Sequence, residues 1–403
     1  MVRQKILIAA MLTICINGTT NAVEIYNNNN TKLDVYGEIN GSHYFSPNVS
    51  LNDLSFDYRR NYFAFNFPPG EDNTGLDKSR ANFGFRAESV LNDEDKILGY
   101  GELQYNVPLN AAENDIKSSG RGALGFIGIK SPLGSFDYGR NYGIMHDVSA
   151  WTNVLPEFGG DSEYSDNYLI GRNSGLFTYR NNDFFGLHKQ LKFAIQYQSQ
   201  SDDDVDKMNF NANTYGMSAS YMLPIGVGIS GAYGNSALVK NTKNNNLVNK
   251  DDNIDTALKP EFIAFNDKFN DNSKHWSTAI KYDKNNFYFA TMYGKTYKST
   301  YLKEKIDGHS IGFIDNVINF EMVAKYKFDF GLIPSIAYIE SKIENTKGDD
   351  TYLYKYIDLG ATYIFSKNMM AYCDYRINKR QSGYKFNFNG RDNILAIGLI
   401  YKF

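Results

Sequence analysis

Internal disulfides are the first thing this chain rules out. Of its two cysteines, Cys15 and Cys373, the first lies in an N-terminal segment with the marks of a removable export signal, which leaves a single thiol and no bridge to form. A lipoprotein site at Cys15 is disfavoured by bulky Ile14 in front of it, where such sites take a small residue. Membrane-spanning helices are ruled out next. The longest apolar run, Ile6 to Ile16, has eleven residues, against the roughly 20 that a spanning helix needs. A basic surplus is missing too: 42 Lys and Arg stand against 45 Asp and Glu, and leaving out Arg3 and Lys5 makes it 40 against 45. That balance excludes the basic stripe of a nucleic-acid binder. Catalytic and metal motifs are also lacking. The histidines, His43, His146, His188, His275 and His309, stand in no Gly-x-Ser-x-Gly or His-Glu-x-x-His context and show no two-His metal spacing. Neither an acyl hydrolase nor a metal enzyme is expected, and no cofactor is implied.

What the chain has in quantity is aromatic residues, 31 Tyr and 28 Phe, in a sequence with only 9 prolines and a mean hydropathy of −0.46. They are ordered most clearly at the end. Counting back from the terminus, Phe403, Tyr401, Leu399, Ile397 and Leu395 fall on one face of an extended strand, because successive side chains point to opposite sides. The other face carries Lys402, Gly398 and Ala396, with Ile400 as its one bulky apolar residue. At the start, Arg3 and Lys5 precede the apolar run and Thr20-Asn21-Ala22 offers a cleavage site. Residues 1–22 therefore read as a secretory signal and 23–403 as the mature chain, beginning near Val23. A greasy-faced strand closing an exported chain points to an outer-membrane β-barrel. A chain without spanning helices can cross lipid only as a closed barrel, since no other form satisfies its backbone hydrogen bonds there.

The alternation recurs. Leu191, Phe193, Ile195 and Tyr197 oppose Lys192, Ala194, Gln196 and Gln198; Tyr215, Met217 and Tyr221 oppose Gly216, Ser218 and Ser220; Trp276, Ile280 and Tyr282 oppose Ser277, Ala279 and Lys281. Cys373 shares its face with Ala371 and Tyr375 and is expected to face lipid, unreactive. A soluble sandwich would alternate as well, but here the connections discriminate. Short links, such as Ser131-Pro132-Leu133-Gly134, Asp283 to Asn286 and Ser366-Lys367-Asn368, take turns with long ones, such as Ser46 to Ser79, Asn141 to Gly175 and Asn235 to Lys274. This predicts an all-β, antiparallel, up-and-down transmembrane barrel of about sixteen strands. The Asn- and Lys-rich stretch Asn241 to Asp255 belongs in an exposed loop.

Several stretches carry a resemblance that spans nearly the whole mature chain. They include Lys32-Leu33-Asp34-Val35-Tyr36-Gly37, Gly134-Ser135-Phe136-Asp137-Tyr138-Gly139-Arg140-Asn141-Tyr142-Gly143, Leu155-Pro156-Glu157-Phe158-Gly159-Gly160-Asp161, Thr178-Tyr179-Arg180-Asn181, and the terminal Tyr401-Lys402-Phe403. The chain resembles the general trimeric porins of Gram-negative outer membranes. That resemblance implies sixteen strands, a homotrimer, a third long loop folded inward as a constriction, and passive diffusion of ions and small hydrophilic solutes. It also implies an outer-membrane location in contact with lipid including lipopolysaccharide, and a C-terminal signal at Tyr401 and Phe403 for the barrel assembly machinery. The residues agree with an inward loop: Pro156 fixes φ and Gly159-Gly160 permit a sharp reversal beside Glu157 and Asp161.

By motif position, Glu157 and Asp161 match acidic positions of the family's constriction, and Arg172 matches the basic position where the chain leaves the loop. Other positions depart from the pattern. The second loop acid falls at Asn153, two wall arginines fall at Asn82 and Ala123, and the first-strand lysine falls at Glu38. Arg80 and Arg121 lie two residues before the vacated positions and are expected to replace part of the lost charge from a different height. Unit charges 4 Å apart interact by about 1 kcal/mol in water and about 4 at an effective dielectric of 20, so a few carboxylates bias ion passage modestly, toward cations. Glu113 matches the loop tip that latches the trimer. A substrate-specific channel and an adhesin-like barrel remain the alternatives, the latter on the long loops alone.

Overall fold

The computed structural model describes residues 22–28, 30–46, 75–110, 120–163, 168–199, 213–237, 262–263, 272–306, 309–344, 351–380 and 393–403. The chain is almost entirely antiparallel sheet. Its segments are β1 (Val23–Asn28), β2 (Thr31–Phe45), β3 (Gly75–Asp77), β4 (Arg80–Asn92), β5 (Ile97–Pro108), β6 (Arg121–Ser131), β7 (Gly134–Tyr142), β8 (Arg172–Asn181), β9 (Leu191–Gln198) and β10 (Thr214–Met222). Then follow β11 (Val227–Ser236), β12 (Phe262–Ile263), β13 (Ser273–Lys284), β14 (Phe287–Ile306), β15 (His309–Tyr326), β16 (Leu332–Ile343), β17 (Thr351–Ile364), β18 (Met369–Asn378) and β19 (Ile394–Lys402). Three of these are short additions. β1 lies on the edge of β2 that β19 occupies further along, β3 prolongs β4 along β2, and β12 pairs with β15. The remaining sixteen form the closed barrel, as the alternation predicts.

Closure is made by β19 pairing with β2, from Leu395 opposite Phe45 to Lys402 opposite Glu38. The terminal residue continues the ladder: Gly37 N–H donates to the Phe403 carbonyl at 2.9 Å and Phe403 N–H to the Gly37 carbonyl at 3.0 Å. The Phe403 ring lies directly over Gly37, where a Cβ would stand 2.5 Å from it. β1 then takes over the same edge of β2 with Val23 opposite Val35. Connections at one end of the barrel are tight. Between β13 and β14, Asn285 and Asn286 both have positive φ, 55° and 63°, the two-residue turn whose twist matches that of the flanking strands.

Outward residues form the three layers that a bilayer demands. Near the short turns Tyr282 packs with Phe287, Phe328 with Phe330 and Tyr363 with Phe365, at centroid distances of 6.1, 5.2 and 5.1 Å. Toward the other end stand Tyr197, Tyr215, Tyr233 and the Trp276–Tyr293 pair, 5.7 Å apart. Aliphatic side chains such as Ile195, Met217, Ile229 and Ile280 lie exposed between them. Tyr215 and Tyr221 bracket this band on β10, a span of about 20 Å at the usual strand rise, close to the roughly 25 Å apolar belt of such barrels. Cys373 is exposed on the outer wall. Ile400, the apolar exception on the inner face of β19, is buried in a cluster with Tyr44, Phe158 and Tyr372.

Ile280→Lys places a charge on the lipid side and should cost about 2–4 kcal/mol if it sits near the bilayer midplane, read from reversible urea unfolding in phospholipid vesicles. Gln104→Lys, on the inner face, should cost much less. Equal costs would contradict this assignment of faces.

Candidate functional site

The long connection between β7 and β8 folds into the barrel, and its apolar spacing explains how. Ile144, Val148, Trp151 and Leu155 recur at helical intervals around a short helix, α1 (His146–Ser149), and all are buried. Met145, Val148, Trp151 and Leu155 join one cluster with inward residues of the wall, among them Ala279, Tyr288, Met292 and Ile339. The two ends of the loop meet at a narrow neck. Gly143 N–H donates to the Gly171 carbonyl at 2.7 Å and Met145 N–H to the Leu169 carbonyl at 3.1 Å. A Cβ on Gly143 would lie 2.1 Å from the Leu169 oxygen, so only glycine admits this approach.

Polar wall residues pin the loop along its length. The Gln196 amide accepts from Ile144 N–H at 2.7 Å and donates to the Tyr142 carbonyl at 2.8 Å. Arg180 grips Asp147 through both carboxylate oxygens, at 2.9 and 2.8 Å, and Ser218 donates to the same group at 2.5 Å. Tyr288 donates to the Trp151 carbonyl at 2.6 Å. Glu321 accepts from the Thr152 hydroxyl and from Ser162 N–H. At the reversal, Asp374 Oδ2 accepts from Glu157 N–H at 2.8 Å and Phe158 N–H at 3.0 Å. Tyr356 accepts from Gly159 N–H at 3.2 Å and donates to Asp161 at 2.5 Å. Gly159 and Gly160 take φ of 88° and 70° there, values an L side chain resists. The Asn153 amide lies against Gly160, 2.6 Å from where its Cβ would be, so Asn153 is folded into the reversal.

Glu157 is the centre of the arrangement. Its two oxygens take a bidentate pair from Arg80 at 2.9 and 3.0 Å, and each also accepts a tyrosine hydroxyl, Tyr44 and Tyr372, at 2.6 Å. Burial pushes this carboxyl up, but the Arg80 charge and the hydrogen bonds from Arg80, Tyr372 and Tyr44 outweigh it and hold the pKa at about 2. Breaking such a pair by removing one partner typically costs 3–5 kcal/mol, because the other charge stays buried.

The wall positions form a row across neighbouring strands: Lys402 opposite Glu38, Glu38 opposite Asn82, Asn82 opposite Asn106, and Asn106 opposite Arg121. Glu38 and Lys402 approach to 3.4 Å. Arg121 is exposed. A β-bulge intervenes in β6, since Gln104 pairs with Leu124 but Tyr105 with Gly122. The extra residue is Ala123, buried beside Leu124. Arg172 lies over the Tyr142 ring at 5.7 Å, and its carbonyl accepts from Arg140. Arg80 is thus in contact with the loop rather than across an open gap from it, while Asn82, Ala123 and Arg172 stand elsewhere on the wall. Glu113 lies outside the described residues.

Sequence reasoning missed Tyr44, Tyr356, Tyr372, Asp374, Glu321 and Arg376, whose guanidinium covers the Phe158 ring at 5.0 Å. A signal existed for three of them. Tyr372, Asp374 and Arg376 alternate with Cys373 and Tyr375, which puts three polar groups on the inner face of one strand.

Comparison with known proteins agrees with this geometry. A sequence profile for Gram-negative porins matches residues 28–403. Outer membrane porin protein OmpD of Salmonella typhimurium is 39% identical over 99% of this chain and 99% of its own length. Outer membrane porin C of Enterobacter cloacae is 37% identical, again over 99% of each. The structure of Salmonella typhi OmpF in complex with daunomycin superposes with a TM-score of 0.75 at 32% identity, covering 94% of this chain and all of that one.

Asp374→Ala removes the acceptor for two loop amides and should destabilise the barrel by roughly 3–6 kcal/mol, at about 1.5–3 for each hydrogen bond to a charged group. Thermal unfolding in detergent should fall and open-channel current noise should rise. If both stay unchanged, the loop is not held there. Because the folded Glu157 pKa lies below its unfolded value, its stabilisation is present above about pH 4.5 and is lost as pH falls toward 2. An acid unfolding curve should therefore show a step in that window that Glu157→Gln removes; a step unaffected by the substitution would deny Glu157 that part.

Proposed function

The chain belongs to the Gram-negative porin family, outer-membrane barrels through which ions and small hydrophilic solutes diffuse passively, and we propose that its constriction favours cations weakly over anions. One observation carries this reading. Arg80 is consumed in a contact pair with Glu157, and the wall positions beside it are neutral, Asn82 and Asn106. A contact pair presents little net charge at a distance, so the transverse field across the opening comes from what is left. Glu38 is likewise offset by Lys402 at 3.4 Å, and Arg172 lies away at the loop's neck over Tyr142. At the reversal itself two carboxylates, Asp161 and Asp374, stand against one guanidinium, Arg376, and Arg121 further along the wall keeps the preference small.

The remaining parts of the proposal are supported by family membership. Three copies associate, with Glu113 latching a neighbour. Residues 1–22 direct export and are removed. Tyr401 and Phe403 present the end of β19 to the barrel assembly machinery, and the aromatic bands seat the barrel in lipid that includes lipopolysaccharide. Phe403 supports its part through geometry, since its backbone completes the closing ladder at Gly37.

Recording from purified protein in a planar bilayer under a KCl gradient tests both the pore and its selectivity. Conductance should arrive in three equal steps with a small reversal potential of cation-selective sign, and Asn82→Arg should move that potential toward anions. A wild-type potential of anion-selective sign would overturn the selectivity reading.

A further inference from the structure

On the short-turn side of the inward loop, the barrel holds a recess of about 340 Å³ between α1 and the wall, within the size range of small-molecule sites. We propose that this recess is a binding site for hydroxylated organic anions, with sugar phosphates as the chemical class. The inference rests on the reading of the chain as a solute channel, but the site is distinct from the constriction residues.

Its charge is the first reason. Lys130, Arg180, Lys192 and Lys281 line it against two carboxylates, Asp137 and Asp147. Asp147 is already gripped by Arg180 and Ser218, which leaves a positive surplus facing the space. Lys281 is held in place over the Trp151 ring, 4.7 Å from its centroid. Cross-strand register spaces the cations around the recess. Lys130 opposes Ser135 and Ser135 opposes Arg180, so Lys130 and Arg180 stand two strands apart, about 10 Å at the usual spacing. Lys192 opposes Ser220 in the next row. With Arg180 paired to Asp147, the three lysines of the lining, Lys130, Lys192 and Lys281, suit a phosphoryl group, which accepts from more than one donor at once.

The lining between the cations is the second reason. Ser135, Ser218 and Ser220 supply short hydroxyl side chains where longer ones would fill the space. Asp137, held by Tyr100 and Asn141 at 3.0 Å each, is a fixed acceptor for a ligand hydroxyl. Aromatic Tyr142 and Trp151 also line it and offer apolar faces for the carbon side of a sugar ring. Inorganic phosphate would use the first set of groups only, and an uncharged sugar the second only.

Trp151 lies in the lining and Trp276, the other tryptophan, is on the outer wall. A Trp276→Phe protein therefore reports on the recess by fluorescence without any need for current. Glucose 6-phosphate should change Trp151 emission saturably, with glucose and inorganic phosphate each at least tenfold weaker. Adding Lys130→Gln and Lys192→Gln should weaken glucose 6-phosphate binding at least tenfold. No saturable change, equal titrations for the three probes, or the same affinity in the lysine variant would each overturn the proposal. KCl conductance of the same preparations tests the channel reading separately, because a barrel that binds the probe without conducting refutes only the diffusion pore.

Discussion

Lipid offers no hydrogen-bond partners, and that single constraint governs the rest of this molecule. A sheet with a free edge would expose a row of unpaired N–H and C=O groups in the bilayer. Here β19 meets β2 across eight residue pairs, and β1 continues along the same edge. Once the sheet is closed, every strand has one face toward lipid and one toward the lumen. The period-two pattern of the sequence then becomes an apolar outside and a polar inside, and tight turns gather at one end because neighbouring strands are antiparallel.

A closed barrel of this size has too much room inside for its own side chains, so the lumen is structured by a loop. The loop brings an apolar stripe of its own, from Ile144 to Leu155, and finds apolar patches on the inner wall to cover. Its backbone groups, taken out of water, are met by wall side chains: Gln196, Tyr288, Glu321, Tyr356 and Asp374. These polar contacts do for the loop what the ladder does for the strands. They also leave the cation-lined recess between α1 and the wall.

Charge placement follows from this packing in a way that local sequence does not reveal. Arg80 stands two residues from Asn82, where the family pattern has arginine, and alternation puts the two on one face. Its partner is decided by the loop's path, which carries Glu157 to within 2.9 Å of a residue 77 positions away. Tyr44 and Tyr372 join from separations of 113 and 215. The bulge at Ala123 is similarly hidden, because one extra residue reverses which side of β6 faces the lumen and leaves no mark in composition.

Periodicity is a local property, so strand faces, turn positions and the barrel class are legible residue by residue. The glycines of the loop reversal are legible too, since a positive φ is a demand made on one residue. Ile400 shows the boundary. Its break in the polar face of β19 is visible in the chain, but its reason is Phe158, a loop residue that arrives only when the barrel closes around it. The same holds for Asp374, whose two amide partners lie 217 and 216 positions away. Contacts at such separations form because a closed wall and an inward loop bring these groups together, and no pattern along the chain encodes that geometry.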